Sequence, residues 1–306
     1  MGLRLCFIVE EEYRDAIMPL AVARELTERG HVVDLLEPQA TATCLSSLTR
    51  YGHGAYQAYV LKTVSDGPGI SLLEAAAAAG IATVNNARSV RLVRDKGVCA
   101  TYARRHGIPF PVTYFVAAAE LLSQVPEADY PLVVKPSNGS SCRGLHRIAH
   151  PSQLRTLEID PERDRFFLAQ PYVPNNGVDV KLYSTGSGTF AVRKRSPLHA
   201  DAPVVESPIP LTPELDQLAD RVGEVFGLDI FGVDVVETAE GWVALDVNDF
   251  PSFGLVPNAA ALMAETIERI AARAARERAA SALMRRPIGT IARGAASPAG
   301  GAGGAS

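Results

Sequence analysis

The stretch "GWVALDVNDFPSFG", residues 241–254, decides how this chain folds. Trp242, Val243, Ala244, Leu245 and Val247 read as a buried strand, yet Asp246 and Asn248 interrupt it two positions apart. Residues two apart on a strand point to the same side, so a carboxylate and an amide face one place. Burying them without partners would cost on the order of 2–7 kcal/mol for a neutral polar group and more for a charge. Asp234 stands twelve residues upstream of Asp246, in the apolar strand "FGVDVVE", and a turn at "TAEG" folds the two strands into a hairpin. Asp234, Asp246 and Asn248 thereby converge as oxygen donors. Two carboxylates among oxygen-only ligands suit Mg²⁺, which binds phosphate oxygens as well.

Further upstream, Lys135 ends the apolar run "PLVVK" and precedes "PSNGSSCRG". The loop Gly139, Ser140, Ser141, Cys142, Arg143, Gly144 can offer backbone N–H groups and hydroxyls to phosphate oxygens, or can be an ordinary flexible turn between strands. It is not a Walker loop, because no Gly-Lys-Ser/Thr follows and the next element reads as a strand. In "DVKLYSTGSGTFAVRKRS", a hairpin about Gly-Ser-Gly, Lys181 shares a face with Asp179, and Arg193 shares one with Arg195. Arg193 or Arg195 facing the carboxylates would neutralise an anionic substrate, while Lys194 reads as a solvated edge charge. Lysine occurs only at Lys62, Lys96, Lys135, Lys181 and Lys194, every other basic position being Arg. Against that background a Lys marks a place that needs a compact ammonium.

With 306 residues, 47% apolar and 21% charged, the chain has the composition of a soluble globular protein of two or three small domains. A net charge of −4 argues against a dedicated nucleic-acid binder. No apolar run approaches the roughly 20 residues that span a bilayer. The start "MGLRLCFIVEEEYRD" lacks signal character, so a cytoplasmic setting is expected. Cys6, Cys44, Cys99 and Cys142 are scattered and read as reduced thiols rather than a zinc or disulfide framework.

Strands alternate with helices over residues 1–87, which predicts a parallel sheet covered on both faces. "SVRLVRDKGVCATYARRHG" reads as one helix ending at Gly107. A smaller α+β unit is expected over 88–170 and a larger one, with the carboxylate cluster and the last helix, over 171–286. "TPELDQLADRVGEVFG" is an amphipathic helix with Thr212 as N-cap and Pro213 at its first position. Residues 287–306 are Gly/Ala/Ser coil with too little apolar surface to order. "EEEYRD", "RYGHGAYQAY" (read as an amphipathic helix on the core) and "SDGPG" are candidate substrate contacts.

The ordered set "DKGVCATYARRHGIPFP", "PLVVKPSNGSSCRG", "FLAQPYVPNNGVDVKLYSTG", "FGVDVVE" and "LDVNDFP" resembles the ATP-grasp superfamily over roughly residues 1–270, in particular its RimK-like carboxylate–amine ligase branch. The resemblance implies an N-terminal α/β domain and two α+β subdomains that clamp ATP between their sheets. It also implies that Lys96 and Lys135 contact ATP phosphates and that the Gly139–Gly144 loop covers them. Gln170, Tyr172 and Val173 would meet adenine, largely through backbone groups. Asp179 would lie near the ribose, Lys181 would reach the phosphates, and Asp234, Asp246 and Asn248 would ligate Mg²⁺. Such a ligase joins a small-molecule or peptide carboxylate to an amine through an acylphosphate, and a homo-oligomer is possible. Two positions depart from the pattern. Pro171 stands where an acidic residue commonly meets adenine, and Asp246 where the ligases often carry Glu. "DVNDFP" and "VDVKLY" are also similar to the inositol trisphosphate kinases of the same fold, so a kinase is the alternative.

Overall fold

The computed structural model describes residues 2–50, 56–63, 67–137, 144–156, 166–199 and 203–284. The chain begins with β1 (Arg4–Val9), α1 (Ile17–Glu28), β2 (Val32–Leu36), α2 (Leu45–Arg50), β3 (Ala58–Lys62), α3 (Gly69–Ala78) and β4 (Ala82–Val84). The four strands form a parallel sheet in the order β2-β1-β3-β4, as the alternation of strand and helix predicts. The expected helix over "RYGHGAYQAY" is corrected: residues 51–55 are outside the described residues, and Tyr59 is a buried residue of β3. Tyr59 packs edge-on against Tyr56 with ring centroids 5.2 Å apart, so the β-branched and aromatic run behaves as a strand.

The single helix expected to end at Gly107 is two, α4 (Ala87–Arg94) and α5 (Lys96–Arg105). Asp95 leaves helical geometry, and its carboxylate accepts from the Gly97 and Val98 amides, capping α5 from within the sequence that α4 would otherwise continue. The break re-aims Lys96, the first residue of α5, with consequences described below.

A second sheet, antiparallel throughout, comprises β5 (Tyr114–Val116), β6 (Leu132–Pro136), β7 (His146–Ile148) and β8 (Phe167–Pro171) in the order β5-β8-β6-β7. A third contains β9 (Val178–Ser184), β10 (Thr189–Arg195), β11 (Ser207–Ile209), β12 (Phe231–Thr238) and β13 (Gly241–Asn248), ordered β11-β10-β9-β12-β13. Its back is covered by α6 (Pro213–Phe226), which the Thr212 side chain caps and Gly227 ends in the left-handed region at φ 65°. Leu215, Val222 and Phe226 pack there against Val180, Leu182, Val233 and Val247.

The last helix, α7 (Ala259–Met284), contributes Met263, Ala264, Ile267 and Ala271 to one core with Leu5, Phe7, Val22 and Val60 of the first unit and Tyr183, Val192 and Ile230 of the third-sheet unit. Asn85 also ties the first unit to the third sheet. Its buried amide donates to the carbonyls of Ile230 and Asp249, each at 2.6 Å, and accepts from the Asp229 and Ile230 amides at 3.0 and 2.9 Å.

Candidate active site

The hairpin of β12 and β13 brings the three oxygen donors together as the opening stretch predicts. Asp234 pairs directly with Asp246, and Gly232 with Asn248. The register slips once, between Asp234 and Val235, leaving Leu245 as the extra residue of a β-bulge. The bulge lets Ala244 and Val247 enter the same core although they are three apart, while Asp246 and Asn248 stay together on the opposite face. Directly paired residues share a face, so Val192, Lys181, Asp234 and Asp246 form one row across β10, β9, β12 and β13. Lys181 Nζ lies 3.0 and 3.1 Å from the two oxygens of Asp234, and Asn248 Nδ2 donates to Asp234 Oδ2 at 3.2 Å. At Gly232 a Cβ would come within 2.9 Å of Pro251 and 3.2 Å of the Lys181 stem, so the row needs glycine there.

Two lysines reach this row from other elements. Lys96, turned inward by the Asp95 break, donates to Asp246 Oδ2 at 2.6 Å. Lys135, on β6, donates to the Leu245 carbonyl at 3.2 Å, an acceptor that the bulge presents. Burial pushes the Lys135 ammonium down, with the nearby Asp246 opposing. For Asp246 burial acts upward, yet Lys96 and Lys135 outweigh it and hold the carboxyl below its usual range. For Lys181 burial acts downward and Asp234 more than reverses it. Asp179, on the same face of β9, has no carboxylate-neutralising contact of this quality; burial pushes its carboxyl up to about 6, and its Oδ1 has no hydrogen-bond partner.

These groups line a cavity of about 520 Å³ between the second and third sheets, closed on its third side by the first unit. Every lysine of the chain, Lys62, Lys96, Lys135, Lys181 and Lys194, lines it, together with, among the described residues, two arginines, Arg94 and Arg195. At the far end are Gln170, Tyr172 and Val173. Gln170 Nε2 donates to Thr113 Oγ1 at 2.8 Å, and the Tyr172 amide donates to the Pro131 carbonyl at 2.7 Å. The Tyr172 ring carries Arg147 at 4.3 Å and its hydroxyl meets His199 Nε2 at 2.8 Å.

The expectation for the β10 charges is corrected. Arg193 pairs with Val180, whose side chain is in the core under α6, so it faces away from the carboxylate row, and its guanidinium bonds Ser207 Oγ at 3.1 Å. Lys194, read as an edge charge, pairs with Asp179 and lines the cavity, 3.5 Å from Glu206. Arg195 pairs with Val178 on the Arg193 face, but at the strand end it still borders the cavity mouth and reaches the Val204 carbonyl at 3.4 Å. Gly139, Ser140, Ser141, Cys142 and Arg143 lie outside the described residues; Gly144 is described, at φ 71°. Glu10, offered as a substrate contact, is fully buried and accepts from Thr63 Oγ1 and the Gly69 amide at 2.7 and 2.6 Å. It anchors the loops of the first unit.

Sequence reasoning missed Lys62 and Arg94. The restriction of lysine to five positions was the available signal for the first; nothing local marked the second. Lys62 is 9% exposed, donates to the Phe250 carbonyl, and lies 4.3 Å from the centre of the Tyr13 ring. Burial pushes its ammonium down to about 8. Cys6 and Cys99 are buried thiols pushed up to about 12 by desolvation, and so are poor nucleophiles.

The comparisons with known proteins agree with this architecture. A probable alpha-L-glutamate ligase of Haemophilus ducreyi is 28% identical over 209 residues, covering 63% of this chain and 67% of that one. A RimK-domain ATP-grasp protein from Sphaerobacter thermophilus superposes with a TM-score of 0.65 at 21% identity, over 86% of this chain and 98% of that one. The ATP-grasp ligase PsnB, solved with the precursor peptide PsnA2 and AMPPNP, gives 0.62 at 17% identity, over 87% and 97%. These structures share the fold, and the kinase alternative finds no support among the relatives. A RimK-like ATP-grasp domain model matches residues 93–267, more than half of the chain, and the chain belongs to the RimK-like ATP-grasp family.

Proposed function

We propose that this chain is an ATP-dependent, ADP-forming carboxylate–amine ligase, with ATP in the 520 Å³ cavity and the carboxylate row at its phosphate end. One observation carries the reading: three lysines from three different elements converge on a single hairpin, Lys96 on Asp246, Lys181 on Asp234 and Lys135 on the Leu245 carbonyl. Lysines of this kind suit phosphate oxygens as compact, rotatable charges. Lys96, Lys135 and Lys181 hold the phosphates. Gln170, Tyr172 and Val173 border the base. Asp179 sits towards the ribose.

The donor set of Asp234, Asp246 and Asn248 fits Mg²⁺ in chemistry, being oxygen-only with two carboxylates. Among the described residues no cluster of three His, Cys, Asp or Glu offers an alternative metal site. When bound, Mg²⁺ supplies charge neutralisation at the phosphates. The chain's own part is to position and to neutralise. Lys96, Lys135 and Lys181 stabilise negative charge as a substrate carboxylate oxygen attacks the γ-phosphorus and the bond to ADP breaks. The amine then attacks the acyl carbon, the C–O bond to phosphate breaks, and the nitrogen loses a proton. The partner substrates are a carboxylic acid or peptide C-terminus and an amino acid, a reading supported by the relative named for glutamate ligation and by the peptide bound to PsnB. No helix among the described residues is long and apolar enough to cross a membrane, in keeping with a cytoplasmic setting.

The test is oxygen transfer. With ¹⁸O-labelled carboxylate substrates and an amino-acid panel, label should appear in released phosphate. A stable phosphomonoester on an alcohol, with unlabelled phosphate, would replace the ligase with a kinase.

A further inference from the structure

Four of the five cavity lysines are accounted for on the nucleotide side: Lys96 and Lys181 by the aspartates, Lys135 by the bulge carbonyl, Lys194 by Glu206. Lys62 is not. It comes from the carboxyl end of β3, the end at which open α/β sheets take ligands. Its ammonium meets the Phe250 carbonyl and the Tyr13 ring face, and among the described residues no carboxylate lies within ion-pair distance of it. The residues that modulate its charge are Asp249 and Glu12, with Arg94 and Lys181 opposing them. Asp249 Oδ1 lies 2.6 Å from Arg94 Nε, with the Arg94 side chain 14% exposed, while the buried Asp249 Oδ2 has no hydrogen-bond partner among the described residues. The two Nη groups of Arg94 donate no hydrogen bond among the described residues, and Arg94 lines the cavity beside Lys62.

Two largely buried cations thus border the cavity here, with one carboxylate, Asp249, paired to Arg94 and none paired to Lys62 among the described residues. A buried charge without a counter-charge is costly, and a planar guanidinium with two unused N–H edges matches a carboxylate fork. The phosphate end has its own three lysines, engaged by Asp246, Asp234 and the Leu245 carbonyl, so the counter-charge expected here is the substrate's. We propose that Lys62 and Arg94 form the subsite for the α-carboxylate of the amine-bearing substrate, which is therefore an α-amino acid whose own carboxylate is held and not consumed. This rests on the ligase reading above. It places substrate specificity on the first unit, at a position that Arg193 and Arg195 do not reach.

The experiment is calorimetric titration of the full chain, loaded with AMPPNP and Mg²⁺, with each of the common amino acids and its α-amide as probes. At least one acid should bind, and its amide at least about tenfold more weakly. Lys62→Met should erase that difference while AMPPNP affinity stays within about twofold. Arg94→Lys keeps the ion pair with Asp249 but removes the fork, and should shrink the same difference; it serves if Lys62→Met melts early. Amides that bind as well as acids, or a Lys62→Met protein that still discriminates, overturn the subsite and leave the ligase reading standing. Loss of AMPPNP affinity in Lys62→Met also overturns it, by making Lys62 a phosphate ligand. Acid-selective binding that depends on Lys62, in a protein that transfers no label to phosphate, supports the subsite and removes the ligase reading.

Discussion

Lys96 and Asp246, separated by 150 positions in the chain, meet at 2.6 Å, and the contact exists because Asp95 breaks the helix one residue earlier. In the free protein each largely buried charge is the other's partner, their side chains only 16% and 21% exposed. Asp246→Asn removes the negative half, leaving Lys96 and Lys135 without their carboxylate. The variant should still fold, because an amide keeps the shape and Leu245 still accepts from Lys135. ADP formation should fall by at least about a hundredfold, a few kcal/mol of transition-state stabilisation. Near-normal turnover by a folded Asp246→Asn enzyme at ordinary Mg²⁺ would remove Asp246 from the phosphate end.

Lys135 offers a test of charge shape. Its ammonium sits in a space that admits a point donor between the bulge carbonyl and Asp246. Lys135→Arg keeps the charge but needs room for a planar fork. Calorimetry with AMPPNP should show affinity about tenfold weaker, equivalent to about 1.4 kcal/mol. Equal affinity in Lys135→Arg and in Lys96→Arg would mean that neither amine contacts phosphate.

Asp179 makes a prediction in pH. Its folded-state pKa is raised to about 6 from 3.8, so the folded protein holds a proton that the unfolded chain releases. The stabilisation is fully present below the unfolded value and is lost as pH rises through about 6, on the order of 2–3 kcal/mol. Urea denaturation of the nucleotide-free protein should therefore show a decline between pH 4 and 6 that is absent in Asp179→Asn. Parallel profiles for the two proteins would contradict the burial assigned to this carboxyl.

The β10 register separates neighbours. Lys194 faces the cavity with Asp179, and Arg193 faces α6 with Val180. Lys194→Ala should raise the KM for ATP severalfold, whereas Arg193→Ala should leave it unchanged. The reverse ranking would mean that the hairpin pairs one residue out of step.

Asn85 satisfies four backbone groups with one amide, all of them between β4 and the loops flanking β12 and β13. Asn85→Ala orphans those groups in a buried place, each such loss costing roughly 1–3 kcal/mol. A fall in Tm of many degrees is expected, with unfolding of the first unit and of the third sheet losing coincidence. A change of only a degree or two would show that water replaces the bracket.

Much of this was readable locally. The alternation of Asp246 and Asn248 in an apolar strand, the turn at "TAEG", the Thr212–Pro213 helix start and the rarity of lysine are all properties of neighbouring residues. Lys194 shows where local reading stops. "VRKR" declares that its charges alternate between two faces, but not which face meets the cavity, because a one-residue shift inverts the whole strand. That choice is made by the pairing of Lys181 with Val192 across the hairpin. The Asp95 break was legible in principle, as an N-cap residue followed by Gly97, but the continuous helical periodicity on either side concealed it.

The sequence by itself determined much of the local geometry: the alternating elements of the first unit, the Thr212 cap of α6, and that two oxygen donors share one face of β13. Tertiary structure alone decided that Lys62, Arg94, Lys96, Lys135 and Lys181 share one cavity, and that the last helix closes the first sheet. The physical reason is that backbone periodicity orients a side chain only relative to its neighbours. Its absolute direction, and the partner it meets across 150 residues, come from the packing of whole sheets, where the burial of apolar faces outweighs any single polar contact.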